Sequence, residues 1–369
     1  MRIFLLADGG SPHTIKWAKS LAKSGHSIFI YGLSSFNPEI YSKEPNIQAV
    51  SFGMNAPVIR AGNGSFKKLR YLTSILQVKK CIREFKPDIV HVHFVTSYGL
   101  LASLLSVPKL YMSVWGADVY DFPLKSLVHR RVLEFILSKA DALFSTSHVM
   151  AKQASQFTDK KISVVPFGID LEKFAPTLPV KRIFEPDQII IGTVKSLEEK
   201  YGVVDLVDAF ALLKKKMPEA PLKLLIVGKG SQEQLLKKMV SDHGIENDVF
   251  FTGWINVEDV PGYHNQIDIA VFPSTLDSES FGVAVVEASA CEKPVIVSRK
   301  GGLVEVVDEN VTGLVVPAHN AEALSLAIEK LVKDPELRMK LGKAGRERVK
   351  KLYNWENNLS QMISYYQGV

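Results

Sequence analysis

The chain is predicted to be α/β, built as two doubly wound parallel-sheet domains. Short apolar runs alternate with amphipathic segments, the alternation runs through twice, and a proline-bearing polar stretch divides the two runs. A length of 369 residues is enough for two domains with a core apiece. Apolar and charged fractions of 46% and 23% are those of a globular protein and argue against a disordered or fibrous chain.

In the first half, strands are predicted at residues 3–6, 27–31, 89–93, 110–114, 142–145 and 163–165. The first strand ends at Gly9 and Gly10, and a helix begins near Pro12 and continues to Gly25. Glycines at the carboxyl end of a parallel strand let backbone approach a ligand closely, although the spacing is not the G-x-G-x-x-G of a dinucleotide site. Further on, D-I-V-H-V-H-F puts His91 and His93 on one side of a strand. A zinc site would require further ligands at matching spacing, and none accompany them. The next strand runs into S-V-W-G-A-D-V-Y, which carries Trp115 and Asp118. The stretch T-L-P-V-K-R-I-F-E-P-D has little periodicity and marks the domain boundary, giving domains at 1–172 and 187–352. A second series of strands follows at 189–193, 222–227, 249–252, 269–272, 294–297 and 313–316. Helices at 336–351 and 355–366 complete the chain.

Net charge is +6, unevenly distributed. Residues 1–170 carry 21 Lys and Arg against 11 Asp and Glu, whereas the remainder carries 24 against 28. Much of the excess sits in residues 66–86, F-K-K-L-R-Y-L-T-S-I-L-Q-V-K-K-C-I-R-E-F-K, whose periodicity offers Leu69, Leu72, Ile75, Leu76, Ile82 and Phe85 to one side. A solvated face over a domain core is the commoner meaning of such a pattern; adsorption to an anionic membrane surface is the other. No aromatic-interleaved basic stretch points to nucleic acid. Cys81 and Cys291 lie far apart in apolar surroundings, as expected of a reducing compartment. The apolar run at the N-terminus is too short for a signal or a membrane span, so the protein is expected in the cytoplasm.

Residues 272–289, F-P-S-T-L-D-S-E-S-F-G-V-A-V-V-E-A-S, concentrate the chemistry. A strand ends in a polar loop, and Val283 onward reads as a helix buried on most sides with Glu287 its only charge. A carboxylate so placed needs a polar partner. The helix start at Ser280, Phe281, Gly282 and Val283 offers unpaired N–H groups to a phosphate. From Gly282 to Glu287 the rise is roughly 7.5 Å, about the span from a nucleotide's distal phosphate to its ribose, whose hydroxyls a carboxylate can accept from. Glu279 would then lie beyond the phosphates, at an attached sugar. The alternative is that Glu287 pairs with a core Arg and Glu279 is a solvated loop residue.

The run E-S-F-G-V-A-V-V-E, followed by A-S-A-C-E-K-P-V-I-V-S and G-G-L-V-E-V-V, resembles the signature of the retaining glycosyltransferases of group 1, family 4. V-V-P-F-G-I-D-L-E-K-F-A-P resembles that family's linker motif. The resemblance implies the GT-B fold, two Rossmann-like domains facing a cleft, with a final helix at 353–369 crossing back to the first. It implies that Glu279 contacts the donor sugar and Glu287 the ribose, that the second domain holds the nucleotide sugar, and that the first takes the acceptor. In T-V-K-S-L-E-E-K-Y-G, Lys195 and Lys200 each stand one position before the family's diphosphate-binding Arg and Lys, and both are candidates for that work. Many relatives carry at Trp115 a His that contacts the donor sugar, which leaves Asp118 or His93 for that polar role. The Gly10 loop would face the donor phosphates or the acceptor. No D-x-D pair sits at a strand end, so neither a metal nor another cofactor is expected. The acceptor implied is a glycan or a lipid-linked one in cell-surface polysaccharide synthesis, at the inner face of the membrane. A sugar-nucleotide epimerase, a glycosidase with paired carboxylates and a non-catalytic sugar-binding protein are the rival readings.

Overall fold

A computed structural model describes residues 1–54, 66–176 and 183–368; the side chains of residues 66–69 lie outside the description, as does most of the predicted linker, 177–182. The chain forms two compact units, residues 1–165 with 359–369, and residues 166–358.

In the first unit, strands β1 (Arg2–Leu6), β2 (Ser27–Ser34), β3 (Ile47–Met54), β4 (Ile89–His93), β5 (Leu110–Val114), β6 (Ala142–Ser145) and β7 (Ile162–Val164) form one sheet in the order β3-β2-β1-β4-β5-β6-β7. Every pairing is parallel. β4 and β5 are buried along their whole length, as strands covered on both faces must be. Period-two alternation divides the core: Phe4 and Leu6 join a cluster with Val90, Val92, Leu133, Ile136 and Leu137, while Ile3 and Leu5, also fully buried, belong to the other face. β3 is absent from the sequence prediction. It is an edge strand of mixed burial, and its residues Gln48, Ser51 and Gly53 break the apolar run that identifies the others.

The second unit holds β8 (Ile189–Val194), β9 (Leu222–Val227), β10 (Val249–Gly253), β11 (Ile269–Phe272), β12 (Val295–Ser298) and β13 (Gly313–Val316), in the order β10-β9-β8-β11-β12-β13 and again all parallel. Each sheet reverses its winding once, between β1 and β4 in the first and between β8 and β11 in the second. Ligands of doubly wound sheets bind outside the carboxyl ends of the strands at such a reversal.

Residues 66–74 are 3-10 helix and Ile75–Phe85 is α-helix. Val78 and Phe85 are buried, with Leu72, Ile75 and Ile82 packed beside them, whereas Leu76, expected on the inner side, is 77% exposed. The change from 3-10 to α periodicity at residue 75 rotates the inner face away from it. The last helix, Trp355–Gln367, returns the chain to the first unit from Leu359. There Tyr366 is buried, its hydroxyl 2.6 Å from His91 Nδ1, and its ring stacks on Tyr111. His91 is held on its other nitrogen by Ser113 Oγ at 2.8 Å. Both ring nitrogens are engaged, which makes His91 a structural clamp. No described helix is long and apolar enough to cross a membrane, and both cysteines are free.

Candidate active site

Lys195 follows β8 and the loop 273–282 follows β11, so the winding reversal brings the two together. Lys195 Nζ lies 3.0 Å from Glu279 Oε1, with the side chains 17% and 8% exposed. Neither is a solvated loop residue. On its other side the ammonium stands 4.3 Å from the centre of the Tyr201 ring, and Lys200 Nζ is 4.7 Å from the same centre. Burial raises the pKa of the Tyr201 phenol, which keeps it neutral, and its ring offers π density to both cations. Two ammonium groups thus converge where a single carboxylate is paired with one of them.

The loop bearing Glu279 is pinned by the turn at residues 300–302. Gly301 N donates to Asp277 Oδ1 at 3.0 Å, and Gly302 N donates to the Glu279 carbonyl at 2.9 Å. Gly301 has φ +46°, and a Cβ there would stand 2.3 Å from the Glu279 carbonyl oxygen. Ser280 and Phe281 are buried, and the Phe281 ring meets Phe167 and Tyr353 edge-on, which leaves backbone rather than aromatic surface for a ligand. Gly282, in a left-handed conformation, precedes helix Val283–Ala290, and no side chain caps that helix. Its N–H end is therefore available to an anion.

On the same helix Glu287 faces His264, with Oε2 3.4 Å from Nε2. The expected alternative partner, a core Arg, is not what it meets. His264 comes from helix Val260–Gln266 and is fully buried, and its Nδ1 has no hydrogen-bond partner. His264 was not anticipated from the sequence: a single His in a short segment carries no periodic signal, and only the packing of two helices places it under Glu287.

At the strand ends of the first unit, Asp118 is fully buried and its carboxylate accepts from three backbone N–H groups: Val95 at 3.1 Å, Trp115 at 3.2 Å and Gly116 at 2.8 Å. Burial pushes its pKa up to about 6 against those hydrogen bonds. Both oxygens are occupied in fastening the loop after β5 to the start of the segment after β4. His93 is buried, with its imidazole pushed down to about 3 by burial and its Nδ1 unpartnered. Trp115 covers its ring at 4.6 Å and meets His13 edge-on at 5.9 Å. Gly10 lies in the turn after β1, where its N–H donates to Asp8 Oδ1 at 3.1 Å. Among the described residues no group of three or more His, Cys, Asp or Glu could hold a metal ion.

Two Rossmann-like sheets, the second with Lys195, Lys200 and Glu279 gathered at its winding reversal, are the architecture of the GT-B fold. Known families agree. A "Glycosyl transferase 4-like" profile matches residues 2–147 and "Glycosyl transferases group 1" matches residues 176–348, which leaves residues 1, 148–175 and 349–369 unmatched. The chain belongs to the group 1 glycosyltransferases, family 4. Among curated relatives it is similar to the GDP-mannose-dependent alpha-(1-6)-phosphatidylinositol monomannoside mannosyltransferase of Mycolicibacterium smegmatis, 29% identical over 84% of this chain and 86% of that one. It is also similar to the D-inositol 3-phosphate glycosyltransferase of Pseudarthrobacter chlorophenolicus, 27% identical over 98% and 90%. Among solved structures, sucrose-phosphate synthase from Thermosynechococcus elongatus has a TM-score of 0.81 at 22% identity, over 100% of this chain and 98% of that one. Anabaena HepE in complex with UDP and glucose has a TM-score of 0.78 at 18% identity, over the whole of both chains.

Proposed function

We propose that this glycosyltransferase moves a hexose-type sugar, with retention of configuration and without a metal, from a nucleoside-diphosphate sugar to a glycan or lipid-linked acceptor in cell-surface polysaccharide synthesis. The observation that carries the reading is the Lys195–Glu279 ion pair at the β8/β11 reversal, with Glu287 eight residues on and one helix turn deeper. Before the donor binds, Lys195 neutralises Glu279. A diphosphate entering between Lys195, Lys200 and the N–H end of helix Val283–Ala290 offers the Lys195 ammonium a doubly anionic partner. The lysine turns toward the phosphates and releases the Glu279 carboxylate to the sugar. As the glycosidic bond breaks, negative charge accumulates on the leaving diphosphate, where the two cations and the helix end stabilise it, and Glu279 faces the oxocarbenium-like carbon. The departing phosphate oxygen takes the acceptor's proton, so the reaction balances without a separate base. Glu287, seated on His264, accepts from the ribose hydroxyls. The mycolicibacterial relative, a GDP-mannose-dependent enzyme named for a phosphatidylinositol mannoside acceptor, supports both a nucleotide-sugar donor and a lipid-linked acceptor. The basic residues Arg70, Lys79, Lys80 and Arg83 support adsorption of the protein to an anionic membrane; Lys67 and Lys68 of the same segment lie outside the described side chains.

The test separates ribose from sugar. Glu287→Ala is expected to weaken binding of free nucleoside diphosphate about tenfold or more, while Glu279→Ala keeps that affinity and loses turnover. Activity is expected to survive EDTA, and the new linkage to keep the donor's anomeric configuration by NMR. Unchanged nucleotide affinity in Glu287→Ala would remove the ribose assignment. Epimerised donor formed without any acceptor would replace the transferase reading by the epimerase one.

A further inference from the structure

Helix Leu127–Ser138 buries Leu133, Ile136 and Leu137 against the sheet of the first unit. Its opposite side is not the polar face expected of a surface helix. Leu127 is 82% exposed and Val128 69%, and Leu124 just ahead of the helix is 77% exposed. Phe135 completes the stripe two turns further on, and Leu127, Val128, Arg131, Val132 and Phe135 line, with Leu100, a shallow trough of about 390 Å³. Cations punctuate this stripe. Leu127, Arg131, Phe135 and Lys139 follow one another at intervals of four residues, and Lys125 stands at the leading end. The one carboxylate of the helix, Glu134, is taken up by Arg130 and Arg131 at 3.0 and 2.9 Å. Exposed apolar patches of this kind mark contact surfaces.

Helix Ile75–Phe85 belongs to the same side of the molecule, because Val78 and Phe85 enter the same core cluster as Leu133, Ile136 and Leu137. Its outward residues are Leu76, Lys79, Lys80 and Arg83, with Glu84 3.9 Å from Lys80. Two helices on one face of one sheet therefore present apolar side chains and an excess of cations. We infer that this face docks on an anionic lipid bilayer, with Leu124, Leu127, Val128 and Phe135 entering the headgroup boundary and Lys125, Lys139, Lys79, Lys80 and Arg83 on the lipid phosphates. Charge decides the occupant. A second copy meeting this face across a two-fold axis would set its lysines and arginines against their own kind, whereas anionic headgroups complement them. The inference deepens the membrane reading above and assigns the insertion to helix Leu127–Ser138 and the segment before it, where the basic segment alone would give only salt-sensitive adsorption.

The experiment uses flotation of the full chain with phosphatidylglycerol-containing and pure phosphatidylcholine vesicles, at low and high salt. Wild type is expected to float with anionic vesicles at low salt and to remain partly bound at high salt. The double variant Leu127→Ser, Val128→Ser is expected to lose about tenfold or more in partitioning at high salt. Lys79→Glu with Lys80→Glu is expected to lose capture at low salt. Both sites are exposed, and an unchanged melting temperature and nucleoside-diphosphate affinity establish that the variants fold. A Val128→Trp variant adds a direct readout: its fluorescence is expected to be quenched by lipids brominated near the headgroup. High-salt partitioning that the Leu127/Val128 variant keeps in full overturns the insertion face while leaving the basic adsorption. Absence of wild-type flotation overturns both. A wild-type dimer in sedimentation that the same variant dissociates shows the face to be an interface between copies and overturns the lipid assignment.

Discussion

His93 and Asp118 are buried ionisable groups in one site with opposite responses to acid. The unfolded His takes up a proton below its ordinary 6.5, and the folded one only near 3, so His93 removes stability as pH falls through that window. Asp118 works the other way: the folded carboxylate protonates near 6 and the unfolded one only near 3.8, so it adds stability as pH falls between the two. From pH 7 to pH 5 the first amounts to a loss of about 2 kcal/mol and the second to a gain of about 1 kcal/mol. The Asp118 gain offsets about half of the His93 loss and leaves a net loss on acidification. Urea unfolding of His93→Gln at the two pH values is expected to show the acid-side loss diminished relative to wild type, and Asp118→Asn to show it increased. Stability profiles parallel to wild type in both variants would mean that neither group is buried as described. Two alternatives stood open for the polar role at Trp115, and their surroundings differ: Asp118 has its oxygens filled by backbone, while His93 retains an unpartnered nitrogen.

The loop carrying Glu279 depends on an element that bears no reactive group. Gly301 and Gly244 both have positive φ, +46° and +68°, but nothing lies within 4 Å of a Cβ built at Gly244, while one at Gly301 meets the carbonyls of Glu279 and Asp277 at 2.3 and 2.6 Å. Substitution by Ala at either is expected to cost on the order of 1 kcal/mol from backbone conformation alone. Only Gly301→Ala has to push the 277–279 backbone aside and part Glu279 from Lys195. Turnover is expected to fall on the order of tenfold or more in Gly301→Ala and to stay near wild type in Gly244→Ala, measured with saturating donor. Equal activity in the two would show that the turn does not position Glu279. At this scale the sequence was largely readable, since G-G-L-V-E-V-V and E-S-F-G-V-A-V-V-E stand out as motifs, but nothing in them says that the glycine backbone holds the glutamate loop.

For the molecule as a whole, the C-terminal helix is part of the first unit's core. Leu359, Met362 and Tyr366 are all buried, and Tyr366 reaches His91 across 275 residues of sequence. Tyr366→Phe keeps the ring but leaves His91 Nδ1 without its partner, at an expected cost of about 1–3 kcal/mol. Tyr366→Ala also opens a cavity and is expected to cost about 3–5 kcal/mol. Chemical unfolding followed at a first-unit probe checks both, and a Tyr366→Phe variant as stable as wild type would show that the hydrogen bond contributes nothing.

The sequence by itself determined the alternation of strands and helices, the division into two Rossmann-like series and the family, because period-two and period-3.6 patterns and the eight-residue interval between Glu279 and Glu287 are local properties of the chain. It left out β3, whose polar edge breaks the apolar pattern, and turned Leu76 inward by assuming one helical period across residue 75. Tertiary structure alone decided the partners. The order of strands joins Lys195 to Glu279 over 84 residues, helix packing sets His264 beneath Glu287, and the gathering of two helices on one sheet face makes an apolar, basic surface out of segments that read separately as ordinary amphipathic helices. Those contacts depend on which strand lies beside which, and no local periodicity encodes that.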